Sequence, residues 1–218
     1  MTGAFMTVGD NPQDVHFSAE ELKAVMEEAG RRHRPVMAHA HATEGIKLAV
    51  KAGARSIEHA SYLDEEGIDL MVKHGTYLVP TLTIGLYFEE KQADSKALAK
   101  AIELSKKSKE ENVKSSMLSL AIKKGVKVVV GTDYVGWSAD YSAREFGELI
   151  KLGMTPMQAI QAGTKVNAEL LGKEKEFGTI ETGKFADIIA VKEDPLKDIT
   201  ELQRVKFVMI GGKVVKKE

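Results

Sequence analysis

Three short apolar runs in this chain each end in side chains that can hold a metal ion. His39 and His41 follow Pro35-Val-Met-Ala, His59 follows Arg55-Ser-Ile-Glu, and Asp133 follows Val128-Val-Val-Gly-Thr. Runs of that length, separated by segments with helical spacing, read as buried strands of a parallel sheet. Side chains at the carboxyl ends of consecutive parallel strands converge on one mouth of an α/β barrel. The expected fold class is therefore α/β: a partial TIM-type (β/α) barrel plus a small carboxyl-terminal β-sheet element. A closed barrel takes eight strands, and only four barrel strands are legible here, so the chain reads as the carboxyl half of a larger fold.

The order of elements supports that reading. Ser18 with Glu21 three residues on forms a capping-box signature, so a helix precedes the first strand. Strands are then predicted at 36–38, 56–58 and 76–79, with helices at 44–52 and 64–74 between them. The stretch 89–124 is rich in Lys, Glu, Ala, Ser and Leu without Gly or Pro, which favours one long helix or two abutting ones. Gly125 ends it, and a strand at 126–130 delivers Asp133. Helices are expected at 143–152, 156–162 and 166–171, the second capped by Thr155 with Pro156 in its first turn. The tail changes character: Gly178, Gly183, Gly211 and Gly212 punctuate short strands at 187–191, 206–210 and 214–215, an antiparallel pattern. Two domains are expected, 1–175 as the barrel half and 176–218 as strands of a small sheet.

Composition narrows the chemistry. With 31 Lys and Arg against 32 Asp and Glu, the net charge of -1 offers no basic surplus for nucleic acid, and a small molecule is the better partner class. The absence of cysteine leaves His and carboxylates as the available metal ligands and removes disulfides and thiolate nucleophiles. No apolar run is long enough to span a bilayer, and the first residues lack the basic and apolar regions of a signal peptide, so a cytoplasmic location without membrane association is expected.

His39 and His41 stand two apart, so on a strand both face the same side. His59 comes one strand–helix unit later in an equivalent position, and Asp133 supplies a carboxylate at the end of the last strand. Imidazoles and a carboxylate so placed can bind a divalent ion and move the proton of a water molecule. Taken singly, each has a plainer role: one histidine as a core residue, Asp133 as a turn or cap residue. Asp10, Asp14 and His16 read mainly as polar loop residues that could touch substrate.

The motifs Ala38-His-Ala-His, Ser56-Ile-Glu-His, Gly131-Thr-Asp and the tail Gly178-Thr-Ile-Glu-Thr-Gly-Lys-Phe-Ala-Asp-Ile-Ile-Ala-Val resemble the metal-dependent amidohydrolase superfamily. The nearest group is the imidazolonepropionase-like and prolidase-like (Xaa-Pro dipeptidase) hydrolases. The resemblance implies barrel strands five to eight, with His39 and His59 as metal ligands and Asp133 as a metal-linked general base. His41 and Tyr134 would face substrate or support the ligands. It also implies Zn2+ or another divalent metal, and hydrolysis of C–N bonds in small amides, peptides or cyclic amides. That family carries a His-x-His pair on its first strand and a bridging lysine on its fourth, and neither is present here. The complete enzyme would hold two metals and this chain alone at most one. The expected partner is a missing amino-terminal half or a second copy; the alternative is an inactive remnant that serves as a binding or structural module.

Overall fold

In a computed structural model of the chain, the described residues are 1–5, 7, 9–91, 113–133 and 139–218. They form two compact units, Met1–Val128 and Val129–Glu218.

The first unit opens with a loop. Thr2 bridges Val15, the Gly3 N–H donates to the Asp14 carbonyl, and the Asp10 carboxylate accepts from the Ala4 and Asn11 N–H groups. Helix α1 (Ala19–Arg31) follows, and Ser18 and Glu21 form the expected reciprocal capping box. Strands β1 (Met37–Ala40), β2 (Ser56–His59) and β3 (Tyr77–Val79) then alternate with α2 (Thr43–Ala52) and α3 (Glu65–His74). The strands lie parallel in the order β1-β2-β3, with Ala38 opposite Ile57 and Ile57 opposite Leu78. Gly53 and Gly75 end α2 and α3 in the left-handed conformation, which lets each helix turn directly into the next strand. Ile46, Ala49 and Val50 of α2, Ile68 and Met71 of α3, Ile57 of β2 and Leu78 of β3 are fully buried and make the core. Lys47 of α2 is buried as well, and its ammonium reaches Asp64 at 2.8 Å and Glu66 at 2.6 Å. Those hydrogen bonds hold its pKa well above the usual amine value.

Helix α4 (Leu82–Lys91) follows β3 directly, where the sequence pattern predicts no element before residue 89. Residues 92–112, the middle of the predicted 89–124 helix, lie outside the described residues, and α5 (Val113–Lys124) forms its end. The segment 126–130, expected as a fourth strand, makes a single parallel bridge between Leu78 and Val128. Pro80 gives the reason: it lacks the N–H that would continue the ladder past Val79. The Val130 N–H bonds to the Ala162 carbonyl instead.

The second unit holds a 3-10 turn (Ala139–Arg144), α6 (Glu145–Lys151), α7 (Pro156–Gly163) and α8 (Lys165–Leu170). Thr155 and Gln158 form a capping box with Pro156 in the first turn, as the sequence predicts. The tail forms β4 (Ile188–Ala190), β5 (Phe207–Ile210) and β6 (Lys213–Lys217), antiparallel in that order. Gly211 and Gly212 both have positive φ, the pair a two-residue primed hairpin turn requires. The described residues thus contain two three-stranded sheets and no closed barrel. Among them, no helix is long and apolar enough to cross a membrane.

Candidate metal centre

His39 stands on β1, His41 just beyond its end, and His59 closes β2. Their rings gather into one cluster: centroids lie 4.7 Å apart for His39 and His41, 4.6 Å for His39 and His59, and 4.8 Å for His41 and His59. His41 is buried, while His39 and His59 are half-buried.

Strand pleating accounts for only part of this. His39 and His41 share a side because they are two residues apart. The register, however, sets Glu58 opposite His39 and Ala40 opposite His59, so regular pleating would send the His59 side chain to the other face. The backbone breaks the pattern at that residue. His59 has φ +73 and is the centre of a γ-turn closed by the Ala60 N–H on the Glu58 carbonyl at 3.0 Å. This is the rare, strained hand of that turn, and Ala60 follows at φ +47. A non-glycine residue held there costs on the order of 1–3 kcal/mol, and such strain concentrates at functional sites.

Neighbours fix the rings. His41 Nδ1 lies 2.8 Å from the Ser61 hydroxyl, and His59 Nδ1 lies 2.7 Å from the Thr81 hydroxyl. His39 Nε2 lies 3.4 Å from the Gly3 carbonyl. The amino-terminal loop adds two more contacts: the His41 N–H donates to the Thr2 hydroxyl at 2.8 Å, and Phe5 packs edge-on to the His41 ring with centroids 4.5 Å apart. Thr2, Gly3, Phe5, Ser61 and Thr81 are therefore parts of the cluster that the motifs did not single out. Asp10 and His16 pair at 3.2 Å and tie the amino-terminal loop to itself. The Ala4 N–H, foremost among its contacts, holds the Asp10 pKa below the usual carboxylate value.

The cluster suits a divalent metal. One ligand atom from each of the three histidines lies within 4.8 Å of the others. Two nitrogens on one tetrahedral zinc stand about 3.4 Å apart, so a small ring rotation closes the gap. A hydrogen bond at the second ring nitrogen fixes ring orientation in metal-binding histidines, and the Ser61 and Thr81 hydroxyls stand where they can make it. Asp133 belongs to the second unit, where it is exposed with φ +51, a conformation that Asp tolerates. Just before it, the Asn167 amide donates to the Val130 carbonyl at 2.9 Å. Tyr134 lies outside the described residues.

The amidohydrolase family profile matches residues 1–215. The chain belongs to that family. The chain is 38% identical to an ochratoxinase of Aspergillus niger, over 99% of its own length and 45% of the relative. It is 29% identical to an imidazolonepropionase of Thermoanaerobacter pseudethanolicus, over 82% of the chain and 39% of that protein. Among solved structures, a Xaa-Pro dipeptidase with methionine bound in its active site matches with a TM-score of 0.87. That match has 37% identity and covers 99% of this chain and 53% of the dipeptidase. The crystal structure of the A. niger ochratoxinase matches with a TM-score of 0.84 and 36% identity, over 99% and 49%. The chain thus spans about half the length of these relatives.

Proposed function

We propose that this chain carries part of the active site of a metal-dependent hydrolase that cleaves C–N bonds of small amides, peptides or cyclic amides. The observation that carries the reading is the meeting of three imidazoles at the carboxyl ends of two neighbouring parallel strands, two of them with hydroxyl supports. The dipeptidase activity named for the Xaa-Pro dipeptidase structure supports the substrate class.

In this reading 1–175 is half of a barrel, strands five to eight, and 176–218 contributes strands to a small composite sandwich. His39 and His59 hold the metal, zinc being the first choice for an imidazole and carboxylate set, and Asp133 is the third ligand. When bound there, a divalent ion supplies Lewis acidity and lowers the pKa of water to about 7. Asp133 accepts the proton of the attacking water on a carboxylate oxygen and returns it to the leaving nitrogen. His41 and Tyr134 face substrate or support the ligands. In this reading the chain supplies ligands for at most one metal, the family's first-strand His-x-His pair and fourth-strand bridging lysine being matched by no residue assigned here. Full activity then requires a complementary half or self-association. Exposed Ile189, Ile210 and Val215 on the tail sheet support such association.

Zinc titration of the 218-residue chain tests the reading. One equivalent should bind, and His39→Ala or His59→Ala should each weaken it at least tenfold. Equal binding by both variants overturns the ligand assignment. Co-expression with the amino-terminal half of a related amidohydrolase should restore hydrolysis of N-acyl amino acids or dipeptides. Folded, assembled complexes without turnover would favour the inactive remnant.

A further inference from the structure

We propose that Thr81 is a positioning residue that holds the His59 ring in the cluster through its hydroxyl; the consequence for metal binding rests on the reading of His59 as a ligand. Regular pleating directs His59 away from His39, and the γ-turn that redirects it is strained. A strained conformer persists only where surrounding structure over-determines it. The Thr81 hydroxyl, 2.7 Å from Nδ1, is placed to do so across the strand boundary.

Thr81 is itself out of the ordinary. It is 5% exposed and has φ +47. For a β-branched residue that conformation is a true outlier, because Cβ and both its substituents crowd the backbone. The plain alternative is that Thr81 caps α4, which starts at the next residue. Cap residues take extended backbone, as Ser18, Asp64 and Thr155 do here, and Thr81 does not. Buried Pro80 precedes it, ends the β3 ladder and leaves Thr81 at the strand end where His59 arrives. Two neighbouring strand ends are thus both in the left-handed region, and their side chains bond to each other. The chemistry follows from the atoms: an Nδ1–H donating to Thr81 Oγ1 fixes the tautomer in which Nε2 carries the lone pair a metal needs.

The test uses the 218-residue chain, Thr81→Val and Thr81→Ser. Valine keeps the shape and β-branching without the hydroxyl, and serine keeps the hydroxyl. In the chelator-treated proteins, nitrogen-15 NMR of the imidazoles reads the tautomer of His59; zinc titration reads affinity. In the wild type His59 should carry its proton on Nδ1. Thr81→Val should lose that single tautomer and bind zinc about 10–100-fold more weakly, and Thr81→Ser should restore both. An unchanged tautomer and zinc affinity in Thr81→Val overturns the proposal. So does a Thr81→Ser chain as impaired as Thr81→Val, which would make the role steric. A tautomer that responds to Thr81→Val while none of the three chains binds zinc supports the positioning and sinks the ligand reading of His59.

Discussion

The two three-stranded sheets of this chain are built from similar residues and have different fates. In β1–β3, Ile57 and Leu78 are wholly buried; in β4–β6, Ile189 and Ile210 are 54% and 60% exposed. Connectivity explains the contrast. Parallel strands need crossovers, so α2 and α3 are tied to the first sheet by the chain itself and cover it. The tail sheet is antiparallel: Gly211-Gly212 joins β5 to β6 and residues 191–206 join β4 to β5, so no α-helix is threaded between its strands to cover it. Its apolar strands are those of a sheet meant to be covered, and burial in the first sheet comes from what is threaded over it, since composition alone is shared.

That comparison can be broken at its strongest point first. Ile57→Ala should cost about 2–5 kcal/mol in urea unfolding, because the site is closed by packed helices and cannot collapse around the cavity. Ile189→Ala should cost less than about 1 kcal/mol, and equal losses would show that the tail sheet is as well packed as the first.

The helix layer over the first sheet is sharpened by Lys47. Lys47→Met keeps the buried stem and removes the ammonium, and a loss of about 1 kcal/mol is expected, since Asp64 and Glu66 are exposed enough to rehydrate. The pKa of Lys47 is raised by those partners, so its contribution is complete below the unfolded value of about 10.4 and disappears as pH rises through the higher folded value. Alkaline unfolding titrations of the wild type and Lys47→Met should diverge below that range and converge above it.

A smaller effect belongs to the loop that packs against the histidines. The pKa of Asp10 is depressed, so its hold on the Ala4 N–H is present above about pH 3.9 and is lost as pH falls through the lower folded value. The Ala4 amide shift should titrate in that acid window, and Asp10→Asn should abolish the transition. The smallest expected change in stability is for Ile189→Thr, within about 0.5 kcal/mol. Its readout is association: sedimentation of the lone chain should show less self-association than the wild type, and no difference would remove the tail sheet as the contact surface.

Much of the architecture was legible because local chemistry and fold agree. The capping boxes at Ser18 and Thr155, the glycines that end α2 and α3, and the strand–helix alternation are short-range features, and each element stands within a few residues of its expected place. Helix α4 was missed because Leu82-Thr-Ile-Gly-Leu-Tyr has apolar residues all round and little helical periodicity. The strand expected at 126–130 was reduced to one bridge by a residue just past the end of β3, Pro80.

The sequence by itself determined which residue types stand at the strand ends, that His39 and His41 share a side, and that histidine and carboxylate are the only metal chemistry available. Tertiary structure decided that His59 joins them. Pleating by register opposes that placement, and a strained γ-turn at His59 bonded to a strained Thr81 provides it. Residues 22 apart in the chain carry no mutual signal in their local pattern; only the alignment of β2 with β3 brings that hydroxyl to that ring.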